Sequence, residues 1–471
     1  MESFSEFIEK HENDDTAALL LSGKIPAGID PGLAANTIGV RRKLKKKVPS
    51  WHARPELAYP LKLSGEQCSS EATATYKAEL LGTLFRNDGL TAGTDGPESR
   101  KPAVADLTGG LGVDSWAFSK VAGTVLYNEM NPALADAARK NFKILGCSNI
   151  IVRSCMIVPS LENEDGSSSP DSPDRHHEAE EMTPGELLGD FRPDIIFMDP
   201  ARRSADGSKV FLLEHCSPDV LSLRDELFSL SRYIMLKVSP MADISMLMKR
   251  LGESVRQLHI LAAGGECKEI LVLMDREFHG PCSIVAANHV GRTDGGAPSG
   301  TVQKISAKGW AGMEFSPADM EANVRGNIRV PESVSAGDIL YEPGKALMKA
   351  GVFNVLCERY PLGKLGKSTH YYILDAVASE NEKTFRELAD FGKFFDITEA
   401  LPLDKRHIKE TGKKYPQAEV TARNIKMDTD TLRKKLGVSS GGNVHIFGLG
   451  CDFPSRHENL LLVCKETLSG C

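Results

Sequence analysis

No apolar run in this sequence approaches the roughly 18 to 20 residues that a membrane span needs. The first ten residues, MESFSEFIEK, are acidic and amphipathic, where a secretory signal would be basic and then apolar, so a cytoplasmic location is expected. The ten cysteines lie scattered from Cys68 to Cys471 without one C-x-x-C pair. That spacing suggests neither a zinc site nor a disulfide framework; reduced thiols and no bound metal are expected. Repeats are also missing. What remains is 471 residues, 41% hydrophobic and 26% charged, the composition of an ordinary globular protein. The chain is too long for one core and should hold two to four domains.

The net charge of −7 disfavours a nucleic-acid partner until the charge is located. Leu161 to Glu181 alone holds eight acids and one arginine, a local total of −7, so the remainder is close to neutral. Within that remainder Arg41, Arg42, Lys43, Lys45, Lys46 and Lys47 crowd six cations into seven positions. Such a run can track phosphates, or it can be a solvated, flexible basic loop; both readings stay open.

Residues 1–100 carry helix-like apolar spacing (Phe4, Ile8; Ala18, Leu19, Leu20) and a second helical pattern from Ala72 to Phe85, which predicts a helical N-terminal segment. Asn87 to Lys101 has the composition of a linker. From Ala103 onward short aliphatic runs alternate with helical stretches: AVADL at 103, TVLYN at 124, NIIVR at 149, DIIFMD at 194, YIMLKV at 233. This alternation predicts parallel strands joined by crossover helices over residues 101–295. The next runs, QLHILAA at 257 and EILVLM at 269, are separated by five residues, too few for a parallel crossover, and must form a hairpin. The stretch 160–182 interrupts the domain with Ser, Pro and acidic residues and predicts a disordered insertion, in which His176 and His177 read as solvated rather than metal-binding. Beyond a Gly-rich linker at about residue 295 lies a C-terminal third with basic character at Lys405 to Lys414 and Arg433 to Lys435, expected to form one or two small α/β modules.

Two constellations carry chemistry. The first is Asp106-Leu107-Thr108-Gly109-Gly110-Leu111-Gly112-Val113-Asp114, which follows a strand and opens a helix. Its glycines permit close backbone approach to a ligand and φ values that side chains forbid. Asp106 or Asp114 can receive a ligand ammonium group, and Glu129, at the end of the second strand, can accept hydrogen bonds from ribose hydroxyls. Asn131 can help cap the next helix. The dinucleotide fingerprint G-x-G-x-x-G fails, because Gly110 and Gly112 are followed by Ser115 at the third position, and this weakens an NAD reading. The second constellation, Asp199-Pro200-Ala201-Arg202-Arg203, ends the fourth strand, at the edge where open α/β sheets bind ligands. Pro200 stiffens the exit from the sheet, Asp199 offers acceptors suited to an exocyclic amine, and Arg202 and Arg203 can clamp a phosphate or stack on a base. Lys237 and Ser239 read as well as structural residues as functional ones, and His215, near Glu214, reads as a helix-surface residue rather than a base.

Five parallel strands closed by an antiparallel hairpin is the layout of class I methyltransferases. The segments DLTGGLGVDSWAFSK, NEMNPALADAARKNF, MDPARRSADGSKVFLLEHCSPDV and LKVSPMADIS, with EQCSSEATATYKAEL upstream and LYEPGKALMKAGVF and VTARNIKMDTDTLRKKLGVSSGGNVHIFG downstream, resemble a bacterial family of class I S-adenosylmethionine (SAM)-dependent methyltransferases with a C-terminal THUMP-like domain. The resemblance covers most of residues 60–470. It implies a ferredoxin-like module at 335–385, a THUMP-like domain at 390–471, and SAM as cofactor. It carries Asp106, Thr108, Gly109, Gly110, Gly112, Asp114, Glu129 and Asn131 onto cofactor positions and Asp199, Pro200, Arg202 and Arg203 onto the catalytic loop. THUMP domains bind RNA, so structured RNA such as tRNA or rRNA becomes the implied partner; the glycine turn also resembles that of ribosomal-RNA guanine N2-methyltransferases, which implies an exocyclic amine such as guanine N2 as the target. The sequence departs from common methyltransferase practice twice. Arg153, Ser154 and Cys155 stand where an adenine-binding Asp is usual, and the catalytic loop lacks the aromatic that stacks a flipped base. A non-catalytic SAM- and RNA-binding protein, or a methyltransferase of small molecules or proteins, remain as alternatives.

Overall fold

The computed structural model describes residues 2–87, 100–160, 180–202, 213, 216–291, 307–325, 328–375 and 381–467, with the backbone alone at Asn87, Arg202 and Arg325. By compactness the chain divides into two units: Met1–His259 with Glu269–Cys282 and Ile305–Trp310, and Ile260–Lys268, Ser283–Lys304 and Ala311–Cys471.

The first unit is built on strands of a nine-stranded sheet, among which are β1 (Ala103–Asp106), β2 (Thr124–Asn128), β3 (Ile150–Arg153), β4 (Ile195–Met198), β5 (Tyr233–Val238), β6 (Val255–Ala263) and β7 (Glu266–Asp275). They lie in the order β6-β7-β5-β4-β1-β2-β3. Pairing is parallel from β5 through β3 and antiparallel between β7 and β5. The central strand β4 reads IIFM and is wholly buried, as a parallel strand covered on both faces must be. The β6–β7 connection is shorter than the spacing of apolar runs implies. Its turn is only Gly264–Gly265, both at positive φ (60° and 77°), as a tight hairpin requires. The hairpin therefore forms, and its second strand inserts between β5 and β6.

Helices α1 (Pro31–Lys47) and α2 (Glu71–Asn87) belong to the helical N-terminal segment. The basic run falls within α1 and is neither a flexible loop nor six free cations. Arg41 is buried and pairs with Glu12 at 3.2 Å; Arg42 donates to the Glu12 and Asp14 carbonyls; Lys43 pairs with Glu66, and Lys47 donates to the Glu66 carbonyl at 2.5 Å. Tertiary partners thus consume most of the charge, and the exposed Lys45 and Lys46 remain at the helix C-terminus, where the helix dipole favours cations. Helices α3 (Val113–Ser119) and α4 (Pro132–Ile144) follow β1 and β2. Residues 161–179 of the expected insertion lie outside the described residues; Glu180–Met182 pairs in parallel with Cys155–Ile157.

The second unit holds a sheet of β8 (Ile339–Pro343), β9 (Leu362–Lys364), β10 (Tyr372–Leu374), β11 (Gly392–Pro402), β12 (Glu419–Arg423), β13 (Val444–Phe453) and β14 (Arg456–Glu466), ordered β9-β10-β8-β11-β14-β13-β12. Of these six pairs, β12–β13 is parallel and the other five are antiparallel. Phe395, Phe447, Leu449 and Leu462 fill one side of this sheet; Ile446, Leu461 and Val463 fill the other, under helices α6 (Lys405–Lys414) and α7 (Thr429–Leu436). Helix α5 (Pro317–Arg325) precedes the sheet. Among the described residues no helix is long and apolar enough to cross a membrane.

Candidate active site

The turn that follows β1 is held from below by protein groups. Asp106 is fully buried; its carboxylate accepts from the Ser115 hydroxyl at 2.5 Å and from the Thr108 N–H at 3.2 Å. The Gly109 N–H donates to the Asn128 carbonyl at 2.7 Å, and the Tyr127 hydroxyl donates to the Gly110 carbonyl at 2.6 Å. The glycines serve two ends. A Cβ on Gly109 would sit 2.1 Å from the Tyr127 ring and one on Gly112 would sit 2.6 Å from Phe142, so these two are small to admit aromatic rings. Gly110, at φ 54°, has its missing Cβ toward open space. Close approach to a ligand, which the sequence attributes to the whole motif, is left to Gly110.

Burial pushes the Asp106 carboxyl up to about 7, with Asp114 and Asp199 adding to the shift and Ser115 and Thr108 opposing it. Between its ordinary value near 3.8 and about 7 the folded state keeps a proton that the unfolded chain has lost, so this group's contribution to stability falls as pH rises through that window and is flat above it. Asp106→Asn is expected to remove that slope. Measured by denaturant unfolding at pH 5 and pH 8, the variant should gain about 2–3 kcal/mol on the parent between the two; an unchanged difference would show that Asp106 ionises normally.

Glu129, just beyond β2, accepts from the Gly110 N–H at 2.9 Å with one oxygen and from the Asn131 N–H at 2.8 Å with the other. Burial raises its pKa, opposed by those two N–H groups. Each oxygen keeps a further lone pair for vicinal hydroxyls. Asn131 itself caps α4, its side chain accepting from Ala133 and Leu134 at 3.1 Å, with Pro132 at the first helical position.

At the adjacent strand end the Asp199 N–H donates to Thr108 Oγ1 at 2.6 Å, which ties the Gly-rich turn to the second constellation directly. Asp199 Oδ2 receives Lys237 Nζ at 2.5 Å. Although burial alone would lower the Lys237 pKa, Asp199, Glu269 and Asp114 together hold it well above its ordinary value. Beneath lies a second cation: Lys77, on the inward stripe of α2 with Ala74 and Leu81, is fully buried. Its ammonium donates to Glu269 Oε1 at 2.7 Å and Ser69 Oγ at 2.9 Å, and forms an ion pair with Asp114 Oδ1 at 3.0 Å without hydrogen-bond geometry. Ser69 donates to the other Asp114 oxygen at 2.7 Å. Burial tends to raise the Asp114 pKa, but Lys77 and Lys237 outweigh it and lower it.

These groups meet in one cleft of about 460 Å³. Thr108, Gly109, Gly110, Gly112, Asp114, Glu129 and Asp199 line it; Asp106, Pro200 and Asn131 do not, Asp106 holding the turn and Asn131 capping α4 instead. Arg202 contributes backbone to a short strand, Ala201–Arg202, paired with Cys216–Ser217; Arg203, Glu214 and His215 lie outside the described residues, as do His176 and His177.

The fold and this cleft are shared with known proteins. The crystal structure of a "putative methyltransferase" from Porphyromonas gingivalis W83 superposes with a TM-score of 0.72 at 26% identity, over 99% of this chain and 98% of that one. Residues 392–466 match a family model described as THUMP domain-like and residues 340–380 one described as a ferredoxin-like domain. The chain has the class I methyltransferase fold and ends in a THUMP-like domain. A predicted O-methyltransferase from Agrobacterium tumefaciens matches 44% of the chain and 84% of its own length, at 16% identity and TM-score 0.28. The Thermus thermophilus 16S rRNA N2 G1207 methyltransferase, in complex with AdoMet and guanosine, matches 42% and 43%, at 15% and 0.25. No curated protein matches the sequence.

Several lining residues of this methyltransferase-fold cleft were not signalled by motif. Cys155, Met156 and Ile157 form a wall beside Met130 and Leu134, where the sequence offers no adenine-binding Asp. Asn128 fixes that wall by accepting from the Cys155 N–H at 3.0 Å and donating to the Cys155 carbonyl at 3.1 Å. Ser64, Gln67, Cys68 and Ser69 bring the N-terminal segment to the cleft. Lys237, near the end of an otherwise apolar strand, reads from the sequence equally as structural or functional, and Lys77, a cation on an apolar helical stripe, was missed. Among the described residues no group of His, Cys, Asp and Glu is arranged to hold a metal.

Proposed function

We propose that this protein is a SAM-dependent methyltransferase acting on a base in structured RNA such as tRNA or rRNA, at an exocyclic amine such as guanine N2. The observation that carries the reading is the direct hydrogen bond between the Gly-rich turn and the aspartate loop, which puts Gly110, Glu129, Asp114 and Asp199 around one cleft at the carboxyl edge of the sheet. The donor set fits SAM. Glu129 has lone pairs for ribose hydroxyls; Gly110 leaves room where a Cβ would intrude; Met130, Leu134, Met156 and Ile157 offer apolar walls to a flat ring; and Asp114, already paired with Lys77, lines the cleft as a carboxylate that a ligand ammonium can approach. Bound there, SAM supplies a methyl group made electrophilic by its sulfonium sulfur.

The chain's own residues account for the remainder of the chemistry. Lys237 fixes Asp199 Oδ2, leaving Oδ1 to accept an N–H of the acceptor amine and orient its lone pair for in-line attack. The proton that the nitrogen sheds after transfer passes to that carboxylate. RNA is supported by the THUMP-like domain and by its exposed cations. Lys405, Lys409 and Lys413 recur on one side of α6, and Lys434 and Lys435 extend the charge on α7. The two helices pack so closely that a Cβ on Gly412 would sit 1.8 Å from the Leu436 carbonyl oxygen.

The test is methyl-tritiated SAM incubated with RNA from a strain lacking the protein, with mass spectrometry of the nucleosides. A methylated exocyclic amine should form, and Glu129→Gln should weaken SAM binding about tenfold without changing RNA affinity. SAM binding with no product in any RNA would instead favour a non-catalytic role, and label in protein or small molecules would move the substrate class.

A further inference from the structure

A second cavity, of about 490 Å³, lies wholly within the second unit and is lined by Asn323, Val324, Phe353, Asn354, Lys364, Gly366, Lys367, His370 and Asp452, among others. Its construction is unusual for a surface dent. Lys364, in β9, is 3% exposed, yet among the described residues its ammonium meets neutral groups and no carboxylate: Asn354 Oδ1 at 3.2 Å and the Phe353 ring, 5.4 Å from its centroid. A buried cation without a carboxylate is costly and is tolerated where an anion arrives to cover it. Asn354 is itself fixed, because Asn323 Oδ1 accepts its N–H at 2.8 Å and its side-chain amide donates to the Asn323 carbonyl at 2.7 Å. Lys367, exposed at the rim, adds a second ammonium. Asp452, the one acid in the wall, is engaged by His457 at 2.6 Å and by the Lys367 N–H at 3.3 Å.

The other wall is aromatic. The His370 ring stacks on Phe353 with centroids 3.7 Å apart and planes 22° from parallel. His370 holds φ 54°, a left-handed conformation rare for a side chain of this size, and its Nδ1 is buried without a hydrogen-bond partner. The Thr369 hydroxyl, donating to the Gly450 carbonyl, and the Leu365 N–H, donating to the Tyr371 carbonyl at 2.9 Å, anchor the strained turn from both sides. Burial, reinforced by Lys364 and Arg423, pushes the imidazole down to about 4, so near pH 7 it is a neutral ring with an unused polar edge.

We propose that this cavity holds one unpaired nucleotide of a polynucleotide, its phosphate on Lys364 and Lys367 and its base against the His370–Phe353 pair. Stacking supplies sequence-tolerant affinity, and the buried ammonium gains its counter-charge. The cavity lies where the ferredoxin-like residues 340–380 meet Asp452 of the THUMP-like residues, so an unpaired nucleotide seated there would set how an RNA is presented. The word polynucleotide rests on the RNA reading above; the pocket itself does not.

The experiment compares the full chain with Lys367→Glu, at an exposed site, and His370→Asn, which removes the ring but tolerates a positive φ. Three probes are titrated: cytidine and adenosine 5′-monophosphates, an RNA hairpin with a short unpaired overhang, and the same hairpin blunt. The overhang RNA should bind about tenfold more tightly than the blunt one, and either variant should erase that advantage and the monophosphate binding while leaving blunt-hairpin and SAM affinity unchanged. Equal binding of overhang and blunt RNA by the parent, or variants that bind all probes as the parent does, would overturn the proposal. If neither RNA binds, monophosphate binding that both variants abolish would uphold the pocket and sink the RNA reading; no monophosphate binding would sink both.

Discussion

Asp199→Asn is expected to slow methyl transfer by about a thousandfold while SAM affinity stays within a few-fold of the parent. The substitution keeps the shape of the side chain and the backbone N–H that Thr108 receives at 2.6 Å, so the cleft should persist. What it removes is the charge that orients the acceptor amine and takes its proton. Lys237 would lose its nearest counter-charge, but Glu269 and Asp114 still act on it and should keep it protonated. Single-turnover rates with tritiated SAM, beside calorimetric SAM binding, separate the two quantities. A rate within tenfold of the parent would remove Asp199 from the chemistry and leave it as a partner for Lys237.

The second large effect concerns stability. Lys77→Met should destabilise the protein by about 3–5 kcal/mol, because it leaves Glu269 and Asp114 buried with their shared ammonium gone. Methionine fills similar space, so the loss would report charge rather than a cavity. Lys77→Met combined with Glu269→Gln should recover part of the loss, since Asp114 retains Lys237 and Ser69. Thermal or denaturant unfolding of the parent and the two variants gives the answer. A single variant as stable as the parent would show that the ion triad breaks even against an apolar core.

Much of the fold was legible because buried parallel strands announce themselves as short apolar runs: TVLYN, IIFM and YIMLKV each sit where the sequence places a strand. The hairpin was legible from chain length alone. The positions of charges were not. Arg41 finds Glu12, and Lys77 finds Glu269, 192 residues away. Nothing in a run of lysines and arginines reveals which of them meet a carboxylate, so the basic helix α1 reads as an open surface when most of its cations are engaged.

The same limit shaped the site. The strand-end rule was enough to direct attention to both the glycine turn and the aspartate loop, which line one cleft. The reasons for its glycines were not visible, because Tyr127 and Phe142, the rings that exclude a Cβ at Gly109 and Gly112, lie on other elements. Nor was the apolar wall at Cys155–Ile157, which Asn128 holds after β3 by two hydrogen bonds to the Cys155 backbone.

Strand β8 pairs with β11 over five residues, Ile339–Pro343 against Gly392–Asp396, and that seam is where the ferredoxin-like segment joins the THUMP-like one. The two are therefore halves of a single cooperative body rather than beads on a string. A gene truncated between them would leave two raw β edges, each a template for aggregation, so this pair should travel through recombination as one piece.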